Sequence, residues 1–508
     1  MGLPRQRFDN FRRECYAFFV NDIETMNANN NVRGKRRQMD MLNGPMLKNI
    51  LIFALPLALC GILQQLFNSA DMAVVYWFEG SVAQSAVNSN GALVNLLINL
   101  FSGMSVGVTV VVAEYVGKKQ TDDLHSVVLT SLIIASVSGI ILLGVGMGVS
   151  APLLKAMNTP GDTLPLAVKY LRIYFAGMPF LMVYNFGAAV LRGVGDTKKA
   201  LVILSVTGVL NVGLNVLFVA ALDMSVAGVA LATVICNIVS AVLVMAVIMK
   251  DDIFKIRRKS RIKKEYVVDI IKIGMPAGLQ GVVFSVANVL IQSSINGFGA
   301  QAVAGNGDAV NFENYVYFFV NGFAQSTVTF FGQNYAAKKY DRCKQVFKIN
   351  MLAGIIVSAA LSALFSPLAK VFIRIYTDDP VSIQFAVMRM WCVLSCTMLS
   401  CLYEIPGGAL RGMGHSMLPA VFTIIGSCIL RIIWIYTVFA ANKLYWLLLI
   451  IYPISWTVTG LAVIISYYII VCKKGFYART QAPECETQIE AAAAAPQPEQ
   501  TESVDHGA

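Results

Sequence analysis

LVILSVTGVLNVGLNVLFVAAL, residues 201–222, decides the class of fold to which this chain belongs. The stretch contains no charged residue, and as an α-helix it is long enough to cross a hydrocarbon layer of about 30 Å. A similar uncharged stretch runs from Ser126 to Leu154, and others recur along the 508 residues. Charged residues make up only 14% of the chain, whereas a soluble globular protein usually carries about 25%. The sequence therefore predicts an all-α membrane protein.

About twelve apolar stretches are long enough to span a membrane as helices. Their predicted limits are 47–78, 87–115, 125–154, 165–191, 197–222, 225–249, 265–297, 302–332, 346–373, 382–409, 417–441 and 444–472.

Lysine and arginine are distributed unequally over the connections between these spans. Every second connection is basic, the longest being DDIFKIRRKSRIKKEY at 251–266, and the connections between them are nearly free of positive charge. Cytoplasmic loops carry the excess of Lys and Arg. An even number of spans then places both termini in the cytoplasm, in a multi-pass protein of the inner membrane or plasma membrane. Because this topology accounts for the net charge of +11, the lipid bilayer is the expected partner and nucleic acid is not.

The two halves of the chain repeat each other. Pro56 and Pro276 are 220 residues apart, EYVGKK at 114–119 precedes NYAAKK at 334–339 by the same shift, and YNFGAAVLRGVG at 184–195 matches YEIPGGALRGMG at 403–414 at a shift of 219. Several matches at one shift indicate a duplication. Each half has six spans, an even number, so both halves enter the membrane from the same side as parallel repeats. We therefore expect two pseudo-symmetric six-helix lobes.

The duplication divides the chain into five predicted regions. They are a basic cytoplasmic extension at 1–44, an N-terminal lobe at 45–250, a basic cytoplasmic linker at 251–264, a C-terminal lobe at 265–472 and a disordered cytoplasmic tail at 473–508. The tail is predicted to be disordered because its Ala, Pro, Gln and Glu residues cannot bury enough apolar surface.

The chain resembles the MATE (multidrug and toxic compound extrusion) family, of the bacterial type. The resemblance rests on Pro56 followed by Asp71, on the turns LRGVG and LRGMG, on GQNYAAKKYDR at 332–342, and on the duplication. It implies two lobes around a central cavity, alternating access, and export of organic cations in exchange for H⁺ or Na⁺. It also implies a transporter rather than an enzyme, acting as a monomer without a cofactor other than the coupling ion.

Ionisable residues inside spans are costly and are therefore functional candidates. Asp71 follows Pro56 by fifteen residues, the spacing of the family's first-helix aspartate, so the resemblance implies a coupling role there, with Na⁺ as one candidate ion. Glu313 breaks the duplication, because its repeat partner is Leu93. Glu404 corresponds to Asn185, and either a site role or pairing with a basic residue at the inner gate is open to it. The cation-coupling and substrate-binding candidates are Asp71, Glu313, Asn185, Asn211 and Glu404.

Two other classes of function compete with the exporter. A lipid-linked oligosaccharide flippase of the same superfamily would carry basic residues along its cavity, which makes Arg389 and Arg431 the positions to inspect. A membrane enzyme is disfavoured because the three histidines, His125, His415 and His506, have no paired acids or metal spacing on one helix. The sequence also has no GxxxxGK phosphate loop, so ATP is not the expected energy source.

Overall fold

A computed structural model of the chain describes residues 39–156, 163–253, 255–257 and 259–473. The predicted tail, and the predicted extension up to residue 38, lie outside the described residues. All regular secondary structure in the described part is helical. The N-terminal lobe contains α1 (Met46–Gly117), α2 (Thr121–Ala156), α3 (Leu164–Ala176), α4 (Met178–Val194), α5 (Thr197–Asn215), which continues as a π-helical segment (Val216–Ala221), and α6 (Ser225–Lys250).

The C-terminal lobe is more interrupted than the N-terminal lobe. It contains α7 (Lys264–Asn296), α8 (Ala300–Ala336), α9 (Tyr340–Phe365), α10 (Ala369–Ile373), α11 (Pro380–Cys392), a 3₁₀ segment (Leu394–Ser400), α12 (Cys401–Gly412), α13 (Met417–Thr423), a π segment (Ile424–Ile429), α14 (Leu430–Trp434), a second π segment (Ile435–Phe439), α15 (Tyr445–Leu449) and α16 (Ile451–Lys473). Within the 3₁₀ segment, the hydroxyls of Thr397 and Ser400 donate to the backbone oxygens of Val393 and Thr397.

The described helices confirm an all-α membrane protein. By length and composition ten helical stretches can cross a membrane, and the pair α3 and α4, bent by 50°, makes an eleventh. The remaining predicted span, 302–332, lies within α8, a helix of 37 residues that is not among these apolar stretches. Its sequence contains many Asn, Gln, Ser and Thr residues, and much of its surface is covered by other helices.

The first two predicted spans are joined by helix rather than by a loop. α1 runs unbroken from Met46 to Gly117, and its two stretches apolar enough to cross the membrane are Met46–Glu79 and Ile98–Gly117. The stretch Ile98–Gly117 overlaps the predicted second span, 87–115, and extends two residues beyond its end. No proline follows Pro56 within this helix to end it.

The two lobes meet where backbones approach closely. Gly103 and Gly107 in the second half of α1 face Gly274 and Gly278 of α7; a Cβ on Gly103 would lie 2.2 Å from the Gly278 Cα, and one on Gly278 would lie 2.2 Å from the Leu100 oxygen. Both pairs have the small-xxx-small spacing that brings membrane helices together. The first half of α1 packs against α8 in the repeat-related manner, with the Phe53 and Phe330 rings 5.6 Å apart.

The two LRGxG turns end their helices through glycine. Gly195 has φ of 103° and Gly414 has φ of 83°, in the left-handed region that favours glycine. Asp196 then caps α5 by accepting a hydrogen bond from the Lys199 N–H at 3.2 Å. Ser416 occupies the equivalent position before α13, but its side chain makes no capping bond.

Residues Met41 to Gly44, which the sequence assigns to the extension, pack on the C-terminal lobe. The backbone oxygen of Met41 accepts from Asn334 Nδ2 at 3.2 Å, that of Leu42 from Lys339 Nζ at 3.2 Å and that of Gly44 from Arg342 Nη2 at 2.9 Å. The Met41 side chain is buried against Gly195. This segment therefore links residues from both lobes at the positively charged side.

Candidate functional site

Asp71 lies on α1 and is held by amides of α5. Asn215 Nδ2 donates to an Asp71 carboxylate oxygen and also to Asn211 Oδ1, the latter at 3.2 Å. Asn211 and Asn215 are one helical turn apart on the same face, so Asn215 contacts both Asp71 and Asn211. Within the described part of the chain, no Lys, Arg or His lies close enough to Asp71 to form a salt bridge, and the buried Asn215 Oδ1 accepts no hydrogen bond. The cluster is thus rich in oxygen atoms and lacks a positive charge.

A cavity of about 610 Å³ is lined mainly by residues of the C-terminal lobe and also by the second half of α1. Its wall is a mixture of aromatic, aliphatic and polar side chains. The charged ones are Glu313, Glu404, Arg389, Arg411 and Arg431, and the aromatic ones are Phe284, Tyr317, Tyr403, Tyr452 and Trp456. The volume falls within the range of small-molecule sites in proteins.

Glu313 does not stand alone in this cavity. Arg389 of α11 donates to it through both Nε and Nη2, at 2.7 Å and 2.8 Å, and through Nη1 to Asn306 Oδ1 at 2.8 Å. The Tyr445 hydroxyl also donates to Asn306 Oδ1, at 3.4 Å. The Arg389 and Glu313 side chains are only 4% and 13% exposed. This bidentate geometry is typical of strong Arg–carboxylate pairs.

Glu404 is the second acid of the cavity wall. The Tyr317 hydroxyl donates to its Oε1 at 2.9 Å, and Arg411 Nη1 lies 3.9 Å from Oε2. Arg411, the arginine of the second LRGxG turn, donates directly to Gln280 Oε1 at 3.0 Å. The contact of Arg411 with Glu404 is thus looser than that of Arg389 with Glu313.

Arg431 is fully buried in the cavity wall. Its Nε donates to the Ser455 hydroxyl at 3.1 Å, and its guanidinium stacks over Tyr452 and Phe284, with Cζ 4.4 Å and 5.1 Å from the ring centroids. Neither Nη1 nor Nη2 has a hydrogen-bond partner among the described residues. Stacking covers the faces of a guanidinium but leaves its N–H edge unsatisfied.

The predicted site residues fall into two groups. Asp71 and Asn211 belong to the amide cluster of the N-terminal lobe, whereas Glu313 and Glu404 line the C-terminal cavity. Asn185 joins neither: it lies half-buried on α4, and its side chain makes no hydrogen bond in the described part of the chain. Asp71 itself is not part of the cavity wall.

Three residues of these clusters were not among the predicted site residues. Asn215 is marked in the sequence by its spacing of four from Asn211, which places two amides on one helix face. The sequence indicates Arg389 and Arg431 only as residues that would line the basic cavity of a flippase. A lone arginine in an apolar stretch such as ILRIIWIY at 429–436 is itself the signal, because an isolated charge inside a membrane is costly.

Comparison with known proteins agrees with this architecture. The model of the family described as MatE matches residues 56–217 and 276–437, once in each lobe. The probable multidrug resistance protein YoeA of Bacillus subtilis (strain 168) is 26% identical over 388 residues, covering 74% of this chain and 83% of that protein. The multidrug export protein MepA of Staphylococcus aureus (strain NCTC 8325 / PS 47) is 23% identical over 411 residues, covering 80% and 91%.

Solved structures show the same fold. A structure of an outward-facing multidrug resistance MATE family transporter of the MOP superfamily superposes with a TM-score of 0.81 at 20% identity, covering 87% of this chain and 99% of that one. A crystal structure of a MATE protein in the straight conformation gives the same TM-score, identity and coverage.

The chain has two homologous lobes of membrane-spanning helices. One lobe contains Asp71 and its amide cluster, and the other contains the cavity, an arrangement that is typical of a multi-pass membrane transporter. The chain belongs to the MatE family, since the family model matches more than half of it. The predicted family is thereby confirmed, and it is a family of transporters rather than of enzymes.

Proposed function

We propose that the chain is a secondary active exporter of small organic molecules, driven by H⁺ or Na⁺ that binds at Asp71. The observation that carries this proposal is the Asp71 carboxylate, which lies in a membrane-spanning helix and is contacted by an amide rather than by a basic side chain. An isolated carboxylate charge is costly in that setting. A cation that binds there removes the cost, so occupancy of Asp71 can favour one arrangement of the lobes over the other.

Either coupling ion fits the cluster. A proton needs only one carboxylate oxygen. A sodium ion, which prefers oxygen ligands, could also use the amide oxygens of Asn211 and Asn215, and Asn215 Oδ1 accepts no other bond. The two ions differ in how much they depend on the amides, so Asn215→Leu should abolish a response to Na⁺ and weaken a response to H⁺ much less.

The C-terminal cavity is the proposed substrate site. Its volume suits a drug-sized molecule. A cationic centre, as the resemblance implies, would be held at Glu404, whose nearest arginine contact is the long one of 3.9 Å to Arg411, and by the surrounding aromatic rings. Because one chain contains both the ion cluster and the cavity, we propose that it acts as a monomer in the plasma membrane, with both termini in the cytoplasm.

Efflux of a fluorescent organic cation such as ethidium from energised cells tests this proposal. We expect wild type to export ethidium and Asp71→Asn to lose most of that export, because a neutral amide cannot take up a proton and supplies no negative charge to balance a sodium ion. Asp378→Asn is the matched control, since it removes an exposed acid outside the helices and should export normally. Expression and monodispersity are compared by fluorescence-detected size exclusion. Normal ethidium export by correctly folded Asp71→Asn would refute a coupling role for this carboxylate.

Na⁺ and H⁺ are separated in the same assay. Export that follows an imposed Na⁺ gradient after a protonophore has collapsed the proton gradient identifies Na⁺, and export that stops with the protonophore identifies H⁺.

One observation favours a second candidate function. Three arginines line the cavity, and a basic cavity is what the flippase of the same superfamily was expected to show. Lack of export of any organic compound by wild type, together with transbilayer movement of a pyrophosphate-linked lipid in vesicles, would favour this alternative.

A further inference from the structure

We propose that Arg431, together with the indole N–H of Trp456, forms a subsite for the carboxylate or phosphate group of a ligand in the C-terminal cavity. This inference depends on the proposed function only in that the cavity receives a ligand; it does not depend on the coupling ion.

Three N–H donor atoms of the cavity wall lack an acceptor. Arg431 Nη1 and Nη2 and Trp456 Nε1 are all buried and have no hydrogen-bond partner among the described residues. Buried donors of this kind are normally satisfied in proteins. An oxyanion is the group that can accept from several such donors and balance the guanidinium charge at the same time.

The donors belong to one cluster. Arg431 stacks over Tyr452, and the Tyr452 ring lies 5.9 Å from that of Trp456, one turn further along α16. Ser455, between them in sequence, accepts from Arg431 Nε and orients the guanidinium. The side chains that would meet an anion are therefore held in place by their neighbours.

The other arginines of the cavity are already balanced. Arg389 is paired with Glu313 at 2.7 Å, and Arg411 lies 3.9 Å from Glu404. Among the described side chains of the wall, Arg431 is therefore the arginine within 4.0 Å of no carboxylate. The wall carries one positive charge in excess, and that charge is located at Arg431.

Two aromatic rings that line the cavity also stack on Arg431. Phe284 of α7 and Tyr452 cover the faces of the guanidinium, so its Nη edge is the part that an anion would meet. The ligand is thus a drug-sized molecule that carries a carboxylate or phosphate group on an apolar or aromatic body, which the remaining aromatic rings would contact.

Binding of a matched pair of probes tests the subsite. 1-Naphthoate and 1-naphthamide share one ring system and differ in charge, and binding of each is titrated with the full-length purified protein in detergent. We expect wild type to bind naphthoate more tightly than naphthamide. Arg431→Gln should weaken naphthoate binding by roughly tenfold or more, the scale of one charge-assisted hydrogen-bonded pair, and change naphthamide binding less than about twofold.

Two further variants separate binding from folding. Trp456→Phe keeps an aromatic ring but removes the N–H donor, and should weaken naphthoate by a few-fold. Arg374→Gln, which removes an exposed arginine outside the cavity, should bind both probes as wild type does. If Arg431→Gln does not yield folded protein, the affinities of Trp456→Phe for naphthoate and naphthamide, compared with those of wild type, test the subsite instead. Equal affinities of wild type for naphthoate and naphthamide, or equal losses of both in a folded variant, would overturn the proposal.

Competition identifies the source of the anion. Inorganic phosphate and the short-chain lipid dihexanoyl phosphatidic acid are each added against bound naphthoate. Displacement by phosphate indicates a free small anion, and displacement by the lipid alone indicates a headgroup; either supports the subsite if it is lost in Arg431→Gln. The coupling proposal is decided by ethidium export of Asp71→Asn and this one by naphthoate binding of Arg431→Gln, so failure of the coupling proposal and failure of this one give different results.

Discussion

At the scale of single residues, the acids of the two lobes have different hydrogen-bond donors. Asp71 receives a hydrogen bond from a neutral amide, whereas Glu313 receives two from an arginine. A carboxylate held by an amide gains charge compensation only when a cation arrives. The negative charge of a carboxylate in a bidentate pair with arginine is already balanced by the guanidinium. Removal of either partner leaves the other charge buried without a partner. The first arrangement suits reversible ion binding, and the second suits a fixed part of a binding wall.

The Glu313–Arg389 pair is testable by a double-mutant cycle. Arg389→Gln should lower the free energy of unfolding by about 3–5 kcal/mol, since it leaves the Glu313 charge buried without a partner. Glu313→Gln should have a similar effect for the same reason. The double variant removes both charges and should recover much of the loss. The measurement is the thermal unfolding midpoint in detergent of the three variants and wild type.

Additive losses in the double variant would contradict this account of the pair. Lys118→Gln, which breaks an exposed pair with Glu114, serves as the comparison and should change the midpoint little, because surface ion pairs contribute about 0–1 kcal/mol.

The sequence indicates which residues are functional candidates but not which residues they contact. Asp71, Glu313 and Glu404 stand out because charge is rare inside apolar stretches. Their partners do not: Arg389 is 76 positions from Glu313, and Asn215 is 144 from Asp71. Contacts over such separations depend on how helices are rotated about their axes, and helical periodicity in one stretch does not determine that rotation relative to another.

At the scale of helices, the contact between α1 and α7 requires glycine. Gly278→Val should destabilise the protein by at least about 1–3 kcal/mol, the usual cost of overpacking, because the added atoms would meet the Leu100 backbone rather than a movable side chain. Gly148→Val on α2 is the matched control, since no atom lies within 4 Å of a Cβ there. Thermal unfolding in detergent compares the two, and equal midpoints would show that the interface is looser than described.

The predicted limits agree with the helices where the apolar stretch and the helix end at the same residues. They differ where the helix continues beyond the apolar stretch. The limits of α6 and α7 agree with the predicted 225–249 and 265–297 to within a residue. In α1 the apolar stretches end but the helix does not, because a drop in hydropathy alone does not stop a helix. The π segments within 417–441 could not be predicted either, since each depends on one shifted hydrogen bond.

At the scale of the whole molecule, the duplication accounts for the lobes but not for their different contents. The match of one family model to both lobes confirms the repeat. The cavity is nevertheless lined largely by the C-terminal lobe, and the ion cluster lies in the N-terminal lobe. A repeat predicts equivalent backbones; it cannot predict that side chains diverged to give two different sites.

The segment before α1 provides a test of how the lobes are joined. The reference is a chain that starts at Met41, because it keeps every contact of Met41 to Gly44. A chain that starts at Met46 loses the buried Met41 side chain, worth about 1.5–3 kcal/mol, and the three backbone acceptors bound by Asn334, Lys339 and Arg342. We expect a lower unfolding midpoint for it, measured in detergent. The same midpoint for both truncated chains would contradict a structural role for Met41 to Gly44.

The polarity of α8 has a consequence for how the protein is made. A nascent helix enters the bilayer from the translocon when its side chains prefer lipid to water, and α8 is not among the stretches apolar enough to do so alone. Its polar side chains bond to α1 and α7, and several of their partners, Glu404 and Arg389 among them, lie on later helices of its lobe. Synthesis must therefore hold α8 at the translocon or beside α7 until those helices emerge, which makes membrane insertion of the C-terminal lobe a cooperative event rather than one helix at a time.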